Sequence, residues 1–271
     1  MTGGPFDLHA FYREVDRRYR EGSGDGVLRF LEDQLDRARA SGDEDALVAV
    51  ASELGSVLRV RGELARAEAL YLEAIRILDE RPQAPALSRV NLRINLGDVY
   101  VAWGRGETAV RLFDEAEGML PCAESHPYQL SAICNNRSSA WRQLGRLAEA
   151  RRDLRRASAL LARVEGSEGE RAVNGINLAQ ILLQEGRLEE ADAEIAPVLK
   201  AYETLSGGRD IHRPNALAVA AQVAYLRGNY TRASELYGEA IAALSDKLGD
   251  SATVEALRRQ KARVDRLAGI Y

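Results

Sequence analysis

The sequence predicts an all-α fold, a right-handed solenoid built from antiparallel helix pairs. A glycine recurs at intervals of 41 or 42 residues, at positions 62, 104, 145, 186 and 228. Residues at fixed distances after each of these glycines have similar sizes from one repeat to the next. Only 6% of the residues are aromatic, and alanine and leucine dominate the apolar set, which favours packed helices over strands.

Each repeat places a small residue five positions after its glycine and a large one nine positions after it. The small residues are Ala67, Ala109, Ala150, Ala191 and Ala233. The large residues are Tyr71, Phe113, Leu154, Ile195 and Tyr237. We expect the glycine to end the first helix in a left-handed conformation, the small residue to let two helices approach, and the large one to fill the space between repeats. Apolar residues recur at helical spacing on both sides of the glycine, so each repeat is predicted to be an antiparallel helix pair.

These residues resemble the tetratricopeptide repeat family over roughly residues 46–245. The period is longer than the family's usual value of roughly 34 residues and is similar to that of the kinesin light chain-type subclass. The segment His126-Pro127-Tyr128-Gln129-Leu130, followed by Asn135-Asn136, also resembles the opening of repeats in that subclass. The resemblance implies a groove lined by asparagines at the position of Asn136.

We expect one solenoid domain over residues 1–271, with irregular ends, as is usual for terminal repeats. Residues 1–45 are predicted to be a degenerate repeat, in which Phe11, Val15 and Tyr19 form an apolar stripe and a turn over 22–26 precedes a helix over 27–40. Residues 46–245 hold five full repeats. Residues 246–271 provide a capping helix, which begins at Ser251.

The first helix of each repeat is expected to line the concave surface. Nine residues before the glycines stand Glu53, Asn95, Asn136, Asn177 and Val219. A row of asparagines can hydrogen-bond the backbone of an extended peptide, although each bond contributes only about 1 kcal/mol net. The alternative is that these asparagines hydrogen-bond a neighbouring helix, and the sequence leaves both interpretations open.

Further candidate peptide-binding residues come from the same register and the same helices. They are Arg59, Asn91, Asp98, Asn135, Arg142, Gln180, Gln222 and Tyr225. Arg59 and Arg142 are suited to a carboxylate, whereas Ile176, Leu183 and Tyr225 predict an apolar groove toward the C-terminal repeats. The ligand expected is an extended or helical peptide, acidic at one end and apolar at the other.

Composition argues against several classes of partner. A net charge of -4 does not favour nucleic acid binding. Cys122 and Cys134 are too far apart for a zinc-binding pair and are expected to be free thiols, so no metal or other cofactor is predicted. Neither a signal peptide nor a long apolar run is present, so we expect no membrane segment and a cytoplasmic location.

The expected function is that of a scaffold or adaptor that binds a protein or peptide segment in the groove. The three histidines, His9, His126 and His212, lie near the N-terminus or in linkers, and no catalytic motif is present, so the chain is not expected to be an enzyme. One alternative is a regulatory sensor that binds a short peptide or a small molecule. The other is an enzyme whose active site is assembled in the groove. A homodimer through the apolar ends of the solenoid is a further expectation.

Overall fold

A computed structural model describes residues 6–21, 24–122, 125–204, 212–248 and 251–270. Over these residues the chain forms 13 α-helices and no β-strand. The predicted all-α fold of paired helices is therefore confirmed. Residue contacts divide the chain into unit 1, Met1–Leu144, and unit 2, Gly145–Tyr271.

Unit 1 contains the degenerate first repeat, two complete helix pairs and the first helix of a third pair. Its helices are α1 (Leu8–Arg20), α2 (Gly24–Ser41), α3 (Glu44–Val60), α4 (Leu64–Asp79), α5 (Ala86–Ala102), α6 (Gly106–Met119) and α7 (Pro127–Gln143). Helix α3 packs on α4 and α5 packs on α6, and α5 also contacts both α3 and α7. The first helices of successive repeats are thus neighbours within this unit.

Unit 2 continues the pattern and ends in a single helix. Its helices are α8 (Leu147–Leu161), α9 (Glu168–Gln184), α10 (Leu188–Thr204), α11 (Arg213–Leu226), α12 (Tyr230–Leu248) and α13 (Ala252–Ala268). Helix α9 packs on α10, α11 packs on α12, and α13 covers α12. Ser251 caps the first turn of α13, with its hydroxyl accepting from the N–H of Val254, so this helix begins where the sequence indicates.

The repeated glycines end the first helix of each pair, as predicted. Their φ angles lie in the left-handed region, between +73° and +80° at Gly62, Gly104, Gly145, Gly186 and Gly228. In the first full repeat the N–H of Glu63 donates to the carbonyl of Leu58 at 2.9 Å and closes the turn. A side chain at such a glycine would be strained, because L-residues pay for a positive φ.

The small and large positions of the repeat are buried and fit one another. The five alanines of the small position are completely buried, and Tyr71 and Phe113 are at most 1% exposed. A Cβ on Gly55 would lie 2.5 Å from the Tyr71 ring, and one on Gly97 would lie 2.6 Å from the Phe113 ring. Glycine therefore stands seven residues before the turn in these two repeats because an aromatic ring occupies the space of a side chain.

The degenerate first repeat differs from the prediction in two ways. Helix α2 begins at Gly24 rather than at residue 27, with Asp25 in its first turn, where an acidic side chain complements the helix dipole. Positions 22 and 23 of the predicted turn lie outside the described residues. Phe11 and Val15 are buried, but Tyr19 is 50% exposed, so the expectation that Tyr19 joins the apolar stripe is wrong.

Candidate functional site

The first helices of three successive repeats in unit 1 are α3, α5 and α7. They carry a row of polar side chains, and hydrogen bonds link some of these side chains between neighbouring helices. We call this set the polar ladder. It consists of Ser52, Asn95, Asp98, Asn135 and Asn136. The constant spacing of the turn glycines places these residues together, because residues at equal distances before each turn occupy equivalent positions on helices that pack side by side.

Hydrogen bonds join the polar ladder from helix to helix. The Asn136 amide Nδ2 on α7 donates to Asp98 Oδ2 on α5 at 3.1 Å, and its own Oδ1 accepts from Asn135 Nδ2 at 3.3 Å. On the other side of α5, Asn95 Nδ2 donates to Ser52 Oγ on α3 at 3.4 Å. The interpretation that these asparagines hydrogen-bond a neighbouring helix thus applies to Asn95 and Asn136. Because an amide has two N–H donors and two lone pairs, each side chain keeps further hydrogen-bonding capacity for a ligand.

Asp98 is an acidic group in an unusual environment. Burial raises the pKa of the Asp98 carboxyl to about 7, although the Arg59 charge on α3 acts in the opposite direction. Among the described residues, the Arg59 side chain has no hydrogen bond and no ion pair closer than 4.0 Å, and it is partly buried. A buried carboxyl and a guanidinium without a bonded partner therefore lie close to each other beside two asparagine amides.

A second polar group on α3, Glu53, faces helix α1. Burial raises the pKa of the Glu53 carboxyl, and the Asp16 charge on α1 adds to the effect. Burial, followed by the Glu53 charge, raises the pKa of both Tyr12 and Tyr19. Since residues 12, 16 and 19 have the spacing of one helix face, α1 presents two phenols and a carboxylate toward Glu53.

Two further predicted site residues of unit 1 are not among the five residues of the polar ladder. Asn91 and Arg142 are exposed on α5 and α7. Their assignment as ligand-binding residues stays a prediction.

Unit 2 carries the other four candidates. Asn177 and Gln180 are partly buried on α9, and Gln222 is exposed on α11. Tyr225 packs against Tyr230, with ring centroids 5.9 Å apart, and the Arg263 guanidinium of α13 lies 5.5 Å from the Tyr225 ring. The structure therefore gives Tyr225 a contact with the terminal helix that its repeat position did not indicate.

The expectation of an apolar groove in unit 2 needs a correction. Ile176 is 4% exposed and Leu183 is 9% exposed. These side chains belong to the packed interior of unit 2, because helices that follow one another along the repeat cover both flanks of α9 and α11.

The sequence interpretation missed Ser52, Tyr12 and Asp16. Ser52 directly precedes Glu53, which holds the repeat position of Asn95 and Asn136, and only the contact of Ser52 with Asn95 reveals it. Tyr12 and Asp16 had a visible signal, since they share helical spacing with Tyr19. The apolar stripe on the same helix pointed to Phe11 and Val15 instead of Tyr12 and Asp16.

The described residues contain no group of three or more His, Cys, Asp or Glu side chains arranged to hold a metal ion. Cys122 and Cys134 are free thiols, as expected, and Cys134 is buried. Within the described ranges, no helix combines the length and apolarity needed to cross a membrane.

Comparison with known proteins supports the repeat assignment. Residues 47–78 and 130–169 match the family model for the tetratricopeptide repeat. No curated protein matches the sequence. Among solved structures, the chain is similar to a putative kinesin light chain with TPR-like repeats from Podosopora anserina, with a TM-score of 0.58 and 20% identity over 78% of this chain and 95% of that one.

Two further structures are similar over almost the whole chain. One is NprR in complex with its cognate peptide NprX, with a TM-score of 0.71 and 13% identity over 97% of this chain and 75% of that one. The other is a Rap protein complexed with Competence and Sporulation Factor, with a TM-score of 0.66 and 14% identity over 100% of this chain and 78% of that one. At these identities the likeness concerns the fold alone. The predicted resemblance to repeats of the kinesin light chain type is confirmed.

Proposed function

We propose that this chain, a tetratricopeptide-repeat protein whose repeats resemble those of kinesin light chains, is an interaction scaffold that binds a peptide segment across α3, α5 and α7. The observation that carries the proposal is that Arg59, which is partly buried and has no side-chain bond, lies beside Asp98 of the polar ladder. Partly buried polar groups are costly when they lack partners, and a bound peptide backbone would supply those partners. The complex of NprR with its cognate peptide, which has a similar fold, supports this proposal.

The two parts of the site have different roles in this proposal. The Asn95 and Asn136 amides, already held by Ser52 and Asp98, present their remaining donors and acceptors in a fixed orientation, which lowers the entropy lost on binding. The Arg59 guanidinium donates hydrogen bonds to a carboxylate or a backbone carbonyl of the ligand. Asn177, Gln180, Gln222 and Tyr225 are proposed as binding residues of unit 2.

The proposal takes the protein to be a binding protein without catalytic activity. It also excludes nucleic acid as the ligand. Two basic residues of α8 support that exclusion, because Arg151 forms an ion pair with Glu185 at 2.8 Å and Arg155 forms one with Glu190 at 3.0 Å. Homodimer formation stays a prediction.

The test is selection from a phage-displayed library of short random peptides, followed by measurement of the dissociation constants of the selected peptides. We expect Arg59→Gln to weaken binding about tenfold, because a charge-assisted hydrogen bond is lost. The midpoint of unfolding should change little, since Arg59 has no bonded partner among the described residues. The double variant Asn95→Ala/Asn136→Ala should weaken binding at least as much.

The matched control is Asn215→Ala, which removes an exposed asparagine near the start of α11. It should leave the dissociation constants unchanged. If the wild-type protein selects no peptide, or if the Arg59 and asparagine variants bind the selected peptides as tightly as the wild type does, the proposed function is wrong.

A regulatory peptide sensor is the second candidate, favoured by the likeness to NprR and Rap over at least 97% of the chain. A sensor binds a free short peptide, whereas an adaptor binds a segment within a larger protein. Selected peptides that bind well in isolation and lose affinity when they are embedded in a carrier protein would favour the sensor.

A further inference from the structure

A cavity of about 310 Å³ opens between the first three helices of unit 1, and its lining residue Ser56 lies one turn after Ser52 of the polar ladder on α3. Its lining residues come from α1, α2 and α3 and from the turn that follows α3. They are Tyr19, Val27, Ser56, Val57, Val60 and Arg61. Most of the lining is apolar, and Val60 is 77% exposed at its edge.

Two acidic side chains lie one helical turn away from residues that line the cavity. Glu53 lies one turn before Ser56 and Val57 on α3, and Asp16 lies one turn before Tyr19 on α1. Among the described residues, the Glu53 side chain has neither a hydrogen bond nor an ion pair. Burial of its carboxyl raises the pKa, and a positive charge brought next to it would favour the ionised carboxylate.

The cations around the cavity do not neutralise Glu53. Arg61 lines the cavity, but its guanidinium pairs with Asp25 at 2.8 Å and approaches Glu63 at 3.5 Å. Arg20 on α1 donates to the backbone carbonyl of Asp16 at 3.3 Å rather than to a carboxylate. The negative charge beside the cavity is thus left for a ligand.

The phenol rings of α1 complete the environment. Tyr12 is 41% exposed and Tyr19 is 50% exposed, although both side chains are large. Their rings lie close enough to Glu53 for its charge to raise their pKa. Aromatic faces beside a carboxylate attract a cation more strongly than either group alone.

We infer that this cavity receives a lysine or arginine side chain of the peptide bound at the polar ladder. The inference rests on the proposed function and specifies its ligand. The apolar lining contacts the aliphatic part of the basic side chain, and the charged end reaches Glu53 and Asp16 between the two tyrosine rings. Charge complementarity selects a basic residue over an acidic one, because an acidic side chain would meet two carboxylates.

The experiment repeats the peptide selection with three forms of the full-length protein. They are the wild type, the variant Asp16→Asn/Glu53→Gln, and the control Asp33→Asn/Asp36→Asn. The control removes the same number of charges from exposed positions on α2. Both amide substitutions at the cavity keep the shape of the side chain, and tryptophan fluorescence should show the same unfolding midpoint or a higher one.

Peptides selected by the wild type and by the control should share a lysine or arginine at one position, and those selected by the cavity variant should lack it. A selected peptide in which that residue is replaced by norleucine should bind the wild type about tenfold more weakly. The same replacement should change binding to the cavity variant less than twofold.

Two results would overturn the inference. The first is that the wild type selects peptides that lack a shared basic residue, and the second is that norleucine replacement weakens binding to the cavity variant as much as to the wild type. Either result would show that the cavity does not bind a basic side chain, and the proposed function would still stand. If the wild type selects no peptide at all, the inference falls together with the proposed function.

Discussion

The Asp98 carboxylate accepts a hydrogen bond from Asn136 at 3.1 Å and lies near the positive charge of Arg59. Burial nevertheless raises its pKa to about 7, so the loss of hydration outweighs both favourable interactions. A carboxyl with a raised pKa holds its proton in the folded chain at pH values where the unfolded chain has already lost it. The contribution of Asp98 to stability therefore falls as the pH rises from about 4 to about 7 and stays low above that range.

Replacing Asp98 by asparagine should expose this titration. We expect the difference in free energy of unfolding between Asp98→Asn and the wild type to shift in favour of the variant by about 1–2 kcal/mol between pH 5 and pH 8. Urea denaturation at the two pH values measures it, and Asp33→Asn, at an exposed position on α2, controls for the loss of one charge. An equal difference at both pH values would show that Asp98 titrates normally.

At the scale of helix pairs, one pair in unit 2 has a larger side chain on its second helix and a smaller residue facing it on its first helix than the other repeats have. Elsewhere in the repeat an alanine stands twelve residues after the turn glycine, as at Ala74 and Ala116, but α10 has Val198 there. The facing residue on α9 is Gly175, whose added Cβ would lie 2.7 Å from Val198 Cγ2. The larger residue on one helix is thus accommodated by the loss of a side chain on the other.

This exchange predicts strong coupling between the two positions. Gly175→Ala alone should lower the free energy of unfolding by about 1–3 kcal/mol through overpacking, even though alanine favours the helix. Val198→Ala alone should cost about 1–2 kcal/mol by opening a space. The double variant should recover most of the loss, because it restores the alanine of the other repeats at position 198.

A double-mutant cycle in guanidinium chloride measures the coupling energy, expected at about 1–2 kcal/mol. Gly118→Ala serves as the control, since a Cβ there meets nothing within 4 Å and should leave α6 as stable or more stable. Additive effects of the two substitutions would mean that α9 and α10 adjust freely at this contact.

At the scale of the whole molecule, residue contacts fall mainly within unit 1 and unit 2. In repeat proteins the stability of each repeat depends chiefly on its neighbours, so local damage need not spread along the chain. Both tryptophans, Trp103 and Trp141, lie in unit 1, whereas helices contribute to circular dichroism throughout. The two signals can therefore report on different parts of the chain.

We expect Gly175→Ala in unit 2 to lower the midpoint measured by circular dichroism more than the midpoint measured by tryptophan fluorescence. Gly55→Ala in unit 1, where a Cβ would lie 2.5 Å from the Tyr71 ring, should lower the fluorescence midpoint instead. Identical shifts of both signals for both variants would show that the chain unfolds in one cooperative step.

The sequence alone determined the helix pairs, their turns and their buried positions. The turn glycines and the alanines after them obey local steric rules that hold in any repeat of this kind, so spacing was sufficient to place them. It also placed Asn95, Asn136, Asp98 and Arg59 on equivalent surfaces of neighbouring helices.

Tertiary structure decided which of these side chains meet and which remain without a partner. The bonds from Asn136 to Asp98 and from Asn95 to Ser52 join residues about one repeat apart, and no local rule sets their relative positions. The exposure of Tyr19 depends on how α1 packs against α2 and α3, and helical spacing alone could not separate it from Phe11. Long-range packing therefore set the charge environment of Asp98 and Glu53, on which the proposed specificity depends.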